Sequence, residues 1–141
     1  MMMETKEPIK SQAVIYVRVA SVDPGDGNGR IAMQEQRCRD YATAQGYAVA
    51  RVFIDAGVSG GIAERPGLNA MLAYLETMHD RGTIVMMEDS ARLARDVRVM
   101  RDLSARIRGT GARIEFCDAR AVASIVLPDR ILFMGARRVQ I

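Results

Sequence analysis

Short apolar, β-branched segments alternate with segments of helical periodicity along this chain, and that alternation restricts its possible folds more than any other feature. Ala13-Val14-Ile15-Tyr16-Val17-Arg18-Val19 reads as a strand buried on both faces. Asp23-Pro24-Gly25-Asp26-Gly27-Asn28-Gly29 is dense in turn formers, and Ala32 to Gln45 is rich in helix formers and closed by Gly46. A second strand is expected over Tyr47 to Asp55, followed by the glycine-rich stretch Asp55 to Gly61. Pro66 suits a first helical turn, and Leu68, Met71, Leu72, Leu75 and Met78 follow at steps of three and four. Thr83 to Met87 predicts a third strand, and Leu93, Val97, Met100, Leu103 and Ile107 a third helix. Ala112 to Cys117 predicts a fourth strand. This order implies an α/β fold: a single domain with a mainly parallel β-sheet and helices on both faces.

A length of 141 residues suits one domain, and 49% hydrophobic with 26% charged residues is the balance of a folded chain. The expected division is a flexible segment over 1–12, the folded domain over 13–118 and a truncated or degenerate segment over 119–141. No window approaches the ~18 apolar residues of a membrane span, and Met1 to Gln12 lacks a signal-peptide core, so a cytoplasmic protein is expected. Cys38 and Cys117 have no neighbours at metal-binding spacing and are expected as small core residues. Met33, Met71, Met86, Met87 and Met100 are expected as core filler. The formal charge is only +3, yet Lys6 and Lys10 are the only lysines among 20 basic residues, leaving 18 arginines. Arginine's fixed fork matches phosphate oxygens, although a GC-rich genome would give the same bias.

Ligands of parallel sheets sit at the carboxyl ends of the strands. Arg18, Arg65, Arg92 and Arg95 fall at or after such ends, with Ser21 nearby. Converging guanidinium groups can stabilise the charge on a phosphoryl group without a metal or other cofactor, and a serine hydroxyl can attack it. Arg65, just before Pro66, also stands at a helix start, a favourable place for an anion.

At these residues the chain resembles the N-terminal catalytic domain of the serine recombinases, the resolvase, invertase and large-integrase family. The resemblance spans Ala13 to Asp118. It rests on Tyr16-Val17-Arg18-Val19-Ala20, on Gln36 in the first helix, on Asp55-Ala56-Gly57-Val58-Ser59-Gly60 with Arg65-Pro66-Gly67-Leu68, and on Arg92-Leu93-Ala94-Arg95-Asp96. It implies a resolvase-like fold and attack of a serine on a DNA phosphodiester, leaving a 5′-phosphoserine link and a free 3′-hydroxyl. It also implies DNA as partner and a homo-oligomer, a dimer or synaptic tetramer, where the C-terminal element is intact. Arg18, Arg65, Arg92 and Arg95 would be catalytic, and Gln36, Ser59, Arg92 and Arg95 would contact DNA phosphate.

Two positions depart from the family pattern. Ala20 stands where the nucleophilic serine belongs, with Ser21 the adjacent hydroxyl, and Ala91 stands where an aspartate precedes the arginine. Successive strand residues face opposite ways, so Ser21 replaces the nucleophile only if the strand ends early or bulges. A catalytically inactive protein that binds DNA or an active recombinase is therefore the alternative. A nucleotide-binding protein is a third reading, but Arg30 stands where the last glycine of the dinucleotide fingerprint belongs. Arg98, Arg101, Arg106 and Arg108 read as a solvated helix face, and His79 as a residue near a helix end.

Overall fold

Strand β1 (Gln12–Val19) is buried from Ala13 onward because it runs through the middle of the sheet. The computed structural model describes residues 11–20, 29–57, 65–79 and 81–118. Within them the order is β1, α1 (Gly29–Gln45), β2 (Ala48–Ala56), α2 (Pro66–Thr77), β3 (Ile84–Met87), a 3-10 turn (Ser90–Arg92), α3 (Val97–Gly109) and β4 (Arg113–Phe116). The four strands pair in the order β2-β1-β3-β4, and every pairing is parallel. The α/β single domain expected from the alternation is the one observed.

Side-chain alternation along β1 divides the core in two. Ala13, Ile15 and Val17 face α1 and meet Cys38, Tyr41 and Ala42. Val14 and Tyr16 face the opposite way and meet Leu68, Met71, Leu72 and Leu75 of α2 and Ile107 of α3. Helices therefore cover both faces. Both cysteines are fully buried, as expected. Gly46 follows α1 at φ 78°, where a residue without Cβ ends the helix at no steric cost.

Two local expectations are corrected. Val97 does not join the apolar stripe of the third helix but is 66% exposed, while Leu93 is buried ahead of that helix. The side chain of Asp96 caps α3 by accepting from the amides of Arg98 and Val99, so the helical phase starts at Val97 and its buried side carries Ser104 and Ile107, with Met100 and Leu103 packed at the core's edge. Met33 is 53% exposed rather than core, because it lies one residue off the buried stripe Gln34, Cys38, Tyr41, Ala42.

The strands also create a notch. β1 pairs with β2 from Gln12 to Val19, but with β3 only over Ala13, Ile15 and the residue between them. Beyond those residues the carboxyl ends of β1 and β3 have no mutual pairing. The chain leaves β1 toward β2 on one side and enters β3 on the other, so this is the switch point where open α/β sheets hold ligands.

Candidate functional site

The lower layer of the site is built by Asp55, at the end of β2 and 2% exposed. Its carboxylate accepts from the amides of Gly67 (2.7 Å) and Leu68 (2.9 Å), the first free N–H groups of α2, and from the hydroxyl of Tyr16 (2.7 Å). The anion at this helix start is thus the protein's own carboxylate. Tyr16 in turn accepts from Nε (3.3 Å) and Nη2 (2.9 Å) of Arg65. Burial pushes the Tyr16 phenol well above its ordinary range, with Arg65 opposing the rise and Asp55 adding to it, so it remains a neutral donor between the two charges.

Arg65 and Arg18 are both 1% exposed, and each reaches the turn after β3. Arg65 donates to the carbonyls of Leu93 (2.6 Å) and Arg92 (2.8 Å). Nε of Arg18 donates to the same Arg92 carbonyl (2.9 Å), and its Nη2 to the carbonyl of Ala91. Asp89 starts this turn by accepting from the amide of Ala91 (3.1 Å). Two buried cations therefore hold one turn by its carbonyls, and their charges lie close together. Burial first, and then the charge of Arg65, lower the pKa of Arg18; Arg92 and Arg95 push the same way. The part that comes from Arg65, Arg92 and Arg95 reflects neighbouring positive charge, which an anion would relieve.

The upper layer faces the notch. Nη1 of Arg92 donates to the carbonyl of Arg18 (3.0 Å), and its Nη2 lies 3.3 Å from Glu88. The carboxylate of Asp89 is 3.5 Å from Nε of Arg92, which makes no hydrogen bond among the described residues. Arg37 reaches from α1 to pair with Glu88. Gln34, 4% exposed, accepts from the amide of Arg18 (3.3 Å) and donates to its carbonyl (3.1 Å), binding the end of β1 as a neighbouring strand would. A cleft of about 260 Å³ opens here, lined by Arg30, Met33, Gln34, Arg37, Glu88 and Arg92.

The structure thus brings together Arg18, Arg65 and Arg92, with Arg95 exposed beside them. It does not bring in Gln36, which is exposed on α1 and donates to Asp40 (2.9 Å). Gln34 occupies the position beside Arg18. Arg30 and Arg37 were missed in the sequence, although their spacing from Gln34 places all three along one side of a helix. Ala20 is exposed at the end of β1 and contributes no hydroxyl; Ala91 contributes its carbonyl. Ser21, Ser59, Gly25 and Gly27, and the segments 1–10 and 119–141, lie outside the described residues. Arg98, Arg101, Arg106 and Arg108 are exposed on α3, as is His79 beyond α2. Among the described residues no three His, Cys, Asp or Glu side chains gather as a metal would require, and no helix is long and apolar enough to cross a membrane.

Residues 13–131 match the family model described as "Resolvase, N terminal domain". The fold is similar to the N-terminal catalytic domain of TP901-1 integrase, with a TM-score of 0.68 and 22% identity over 91% of this chain and 93% of that one. It is also similar to a resolvase family site-specific recombinase from Streptococcus pneumoniae, with a TM-score of 0.66 and 19% identity over 92% and 85% of the two chains. The catalytic domain of ISC1926 TnpA, an IS607-like serine recombinase, matches with a TM-score of 0.64 and 23% identity over 90% and 76%. In sequence, the chain is 32% identical over 62 residues to a Bacillus phage phi105 protein called "Uncharacterized immunity region protein 3", covering 44% of this chain and 76% of that protein.

Proposed function

The chain belongs to the resolvase N-terminal domain family, and from that premise we propose that it acts on DNA phosphodiesters in site-specific recombination, with Ser21 as the attacking hydroxyl. The observation that carries this reading is the arginine cluster at the notch between β1 and β3, where positive charge is concentrated and one wall is open. A phosphate in the cleft would meet Arg92, Arg37 and Arg30, while Arg18 and Arg65 beneath hold the turn that carries Arg92. Glu88, paired with both Arg37 and Arg92, keeps these cations in place until a phosphate competes for them. Cleavage forms a bond from Ser21 Oγ to phosphorus and breaks the bond to the 3′ oxygen, which leaves as a hydroxyl carrying the serine proton. No cofactor enters this step. Assembly as a dimer or synaptic tetramer of this chain belongs to the same proposal, as do roles for Arg95 and for Ser59 in phosphate contact.

The end of β1 supports Ser21. The strand stops at Val19, so the alternation of β1 has ended before Ala20, which is the condition under which the neighbouring serine can stand in for it. Ala20 favours a second reading, in which the domain binds DNA or pairs with an active recombinase but does not cut. Wherever DNA is held at the cleft, with or without cleavage, fluorescence anisotropy of a labelled duplex against salt tests it. Arg92→Gln and Arg37→Gln should each weaken binding and reduce the log–log salt slope by about 1. Affinity and slope unchanged in both variants would remove the cleft from the function; the two readings then part on whether a covalent adduct forms.

A further inference from the structure

The sulfur atoms of Cys38 and Cys117 lie 2.7 Å apart, both fully buried, one on α1 and the other just after β4. They are 79 residues apart in sequence, and nothing in the DNA chemistry above uses them. We propose that they are an oxidation site: a thiol pair that closes to an intramolecular disulfide and pins α1 to the sheet beneath the cleft. Cys38 follows Arg37 directly and sits one helical turn from Gln34, on the same buried stripe. On the other wall, the amide of Cys117 donates to the carbonyl of Met87 (3.0 Å), next to Glu88. A bond between the sulfurs would therefore join the helix that supplies Gln34 and Arg37 to the end of β4, which is hydrogen-bonded to the end of β3 beside Glu88.

The oxidant class is a peroxide, small enough to enter a packed site during local opening. One thiol takes an oxygen atom from the peroxide and becomes a sulfenic acid, releasing one water. The second thiol attacks that sulfur, the S–S bond forms and a second water leaves with the remaining thiol hydrogen. The contact with Cys38, and then burial, hold the Cys117 thiol well above its ordinary range, so the reaction is slow while the domain is closed.

The test treats the whole chain with hydrogen peroxide, unfolds it, alkylates remaining thiols and maps peptides by mass. The expected product has no alkylatable thiol and carries a link between the peptides holding positions 38 and 117. Its melting temperature should rise by roughly 10 °C, since the bond closes a long loop, and a reductant should reverse the rise. Amide exchange over residues 34–42 should slow in parallel. Comparing oxidised and reduced wild-type protein requires no variant to fold, and Cys38→Ser should abolish the link. Thiols that remain alkylatable, sulfinic acids without a link, or bonds between separate chains would each overturn the proposal.

Discussion

Replacing Asp55 with alanine should destabilise the domain more than any other single change at the site. The carboxylate accepts three hydrogen bonds and is the nearest negative partner of the Tyr16–Arg65 chain. A hydrogen bond to a charged group contributes about 1.5–3 kcal/mol, but three bonds on one group are not additive. Removing one partner from a buried ionic arrangement costs about 3–5 kcal/mol, because the remaining charge stays buried. We therefore expect Asp55→Ala to lose about 3–5 kcal/mol, a large part of the 5–15 kcal/mol typical of a domain. In urea unfolding, with a slope of about 2 kcal/mol/M, the midpoint should fall by roughly 2 M. Asp55→Asn retains an acceptor and should lose about half as much. In a double-mutant cycle, Asp55→Asn and Tyr16→Phe should show coupling of about 1 kcal/mol or more. A midpoint shift below about 0.5 M for Asp55→Ala, at unchanged slope, would refute this account of the lower layer.

Gly67→Ala should cost about 2 kcal/mol or more, since its Cβ would lie 2.6 Å from the carbonyl oxygen of Ile54 and 2.9 Å from Asp55 Oδ1; thermal unfolding checks it. Gln34→Ala should lose about 1–3 kcal/mol because both main-chain bonds to Arg18 go, whereas Gln36→Ala on the exposed side should stay within about 0.5 kcal/mol; urea midpoints separate the two. Burial is the first cause that raises the pKa values of Tyr16, Tyr41 and Tyr47 in the folded state. Each then contributes stability that is full below the unfolded value of about 10 and is lost as pH rises from there toward the folded value. The raised Cys117 thiol adds an earlier loss that starts near its unfolded value of about 8.5, so urea midpoints should hold steady to about pH 8, decline above it and fall steeply above about 10.

The strands were legible because a parallel sheet buries both faces, leaving apolar runs such as Ala13 to Val19 with little else to become. The second helix was legible because its stripe sits between Pro66 and Gly82. The third was misread at its start, since Leu93 and Val97 fit the stripe's spacing and only the Asp96 cap decides where the helix begins. The arginines at strand ends were found from the ligand rule for parallel sheets. Their partners were not, because Tyr16 comes to bridge Asp55 and Arg65 only through tertiary packing. Gln34 and Gln36 look equivalent in Gln34-Glu35-Gln36, and helical phase separates them: Gln34 shares the stripe of Cys38 and Tyr41, while Gln36 lies off it. The buried pairing of Cys38 with Cys117 likewise brings together residues from distant parts of the chain.

The proposal that Ser21 attacks DNA is tested most directly by the covalent intermediate. The protein is mixed with a suicide duplex containing a recombination site from a related element, beside an active recombinase that cuts the same DNA, and resolved on denaturing gels. The account predicts a protein–DNA adduct that maps by mass to Ser21 and disappears in Ser21→Ala. No adduct where the active recombinase forms one, or an adduct that survives Ser21→Ala, would contradict it.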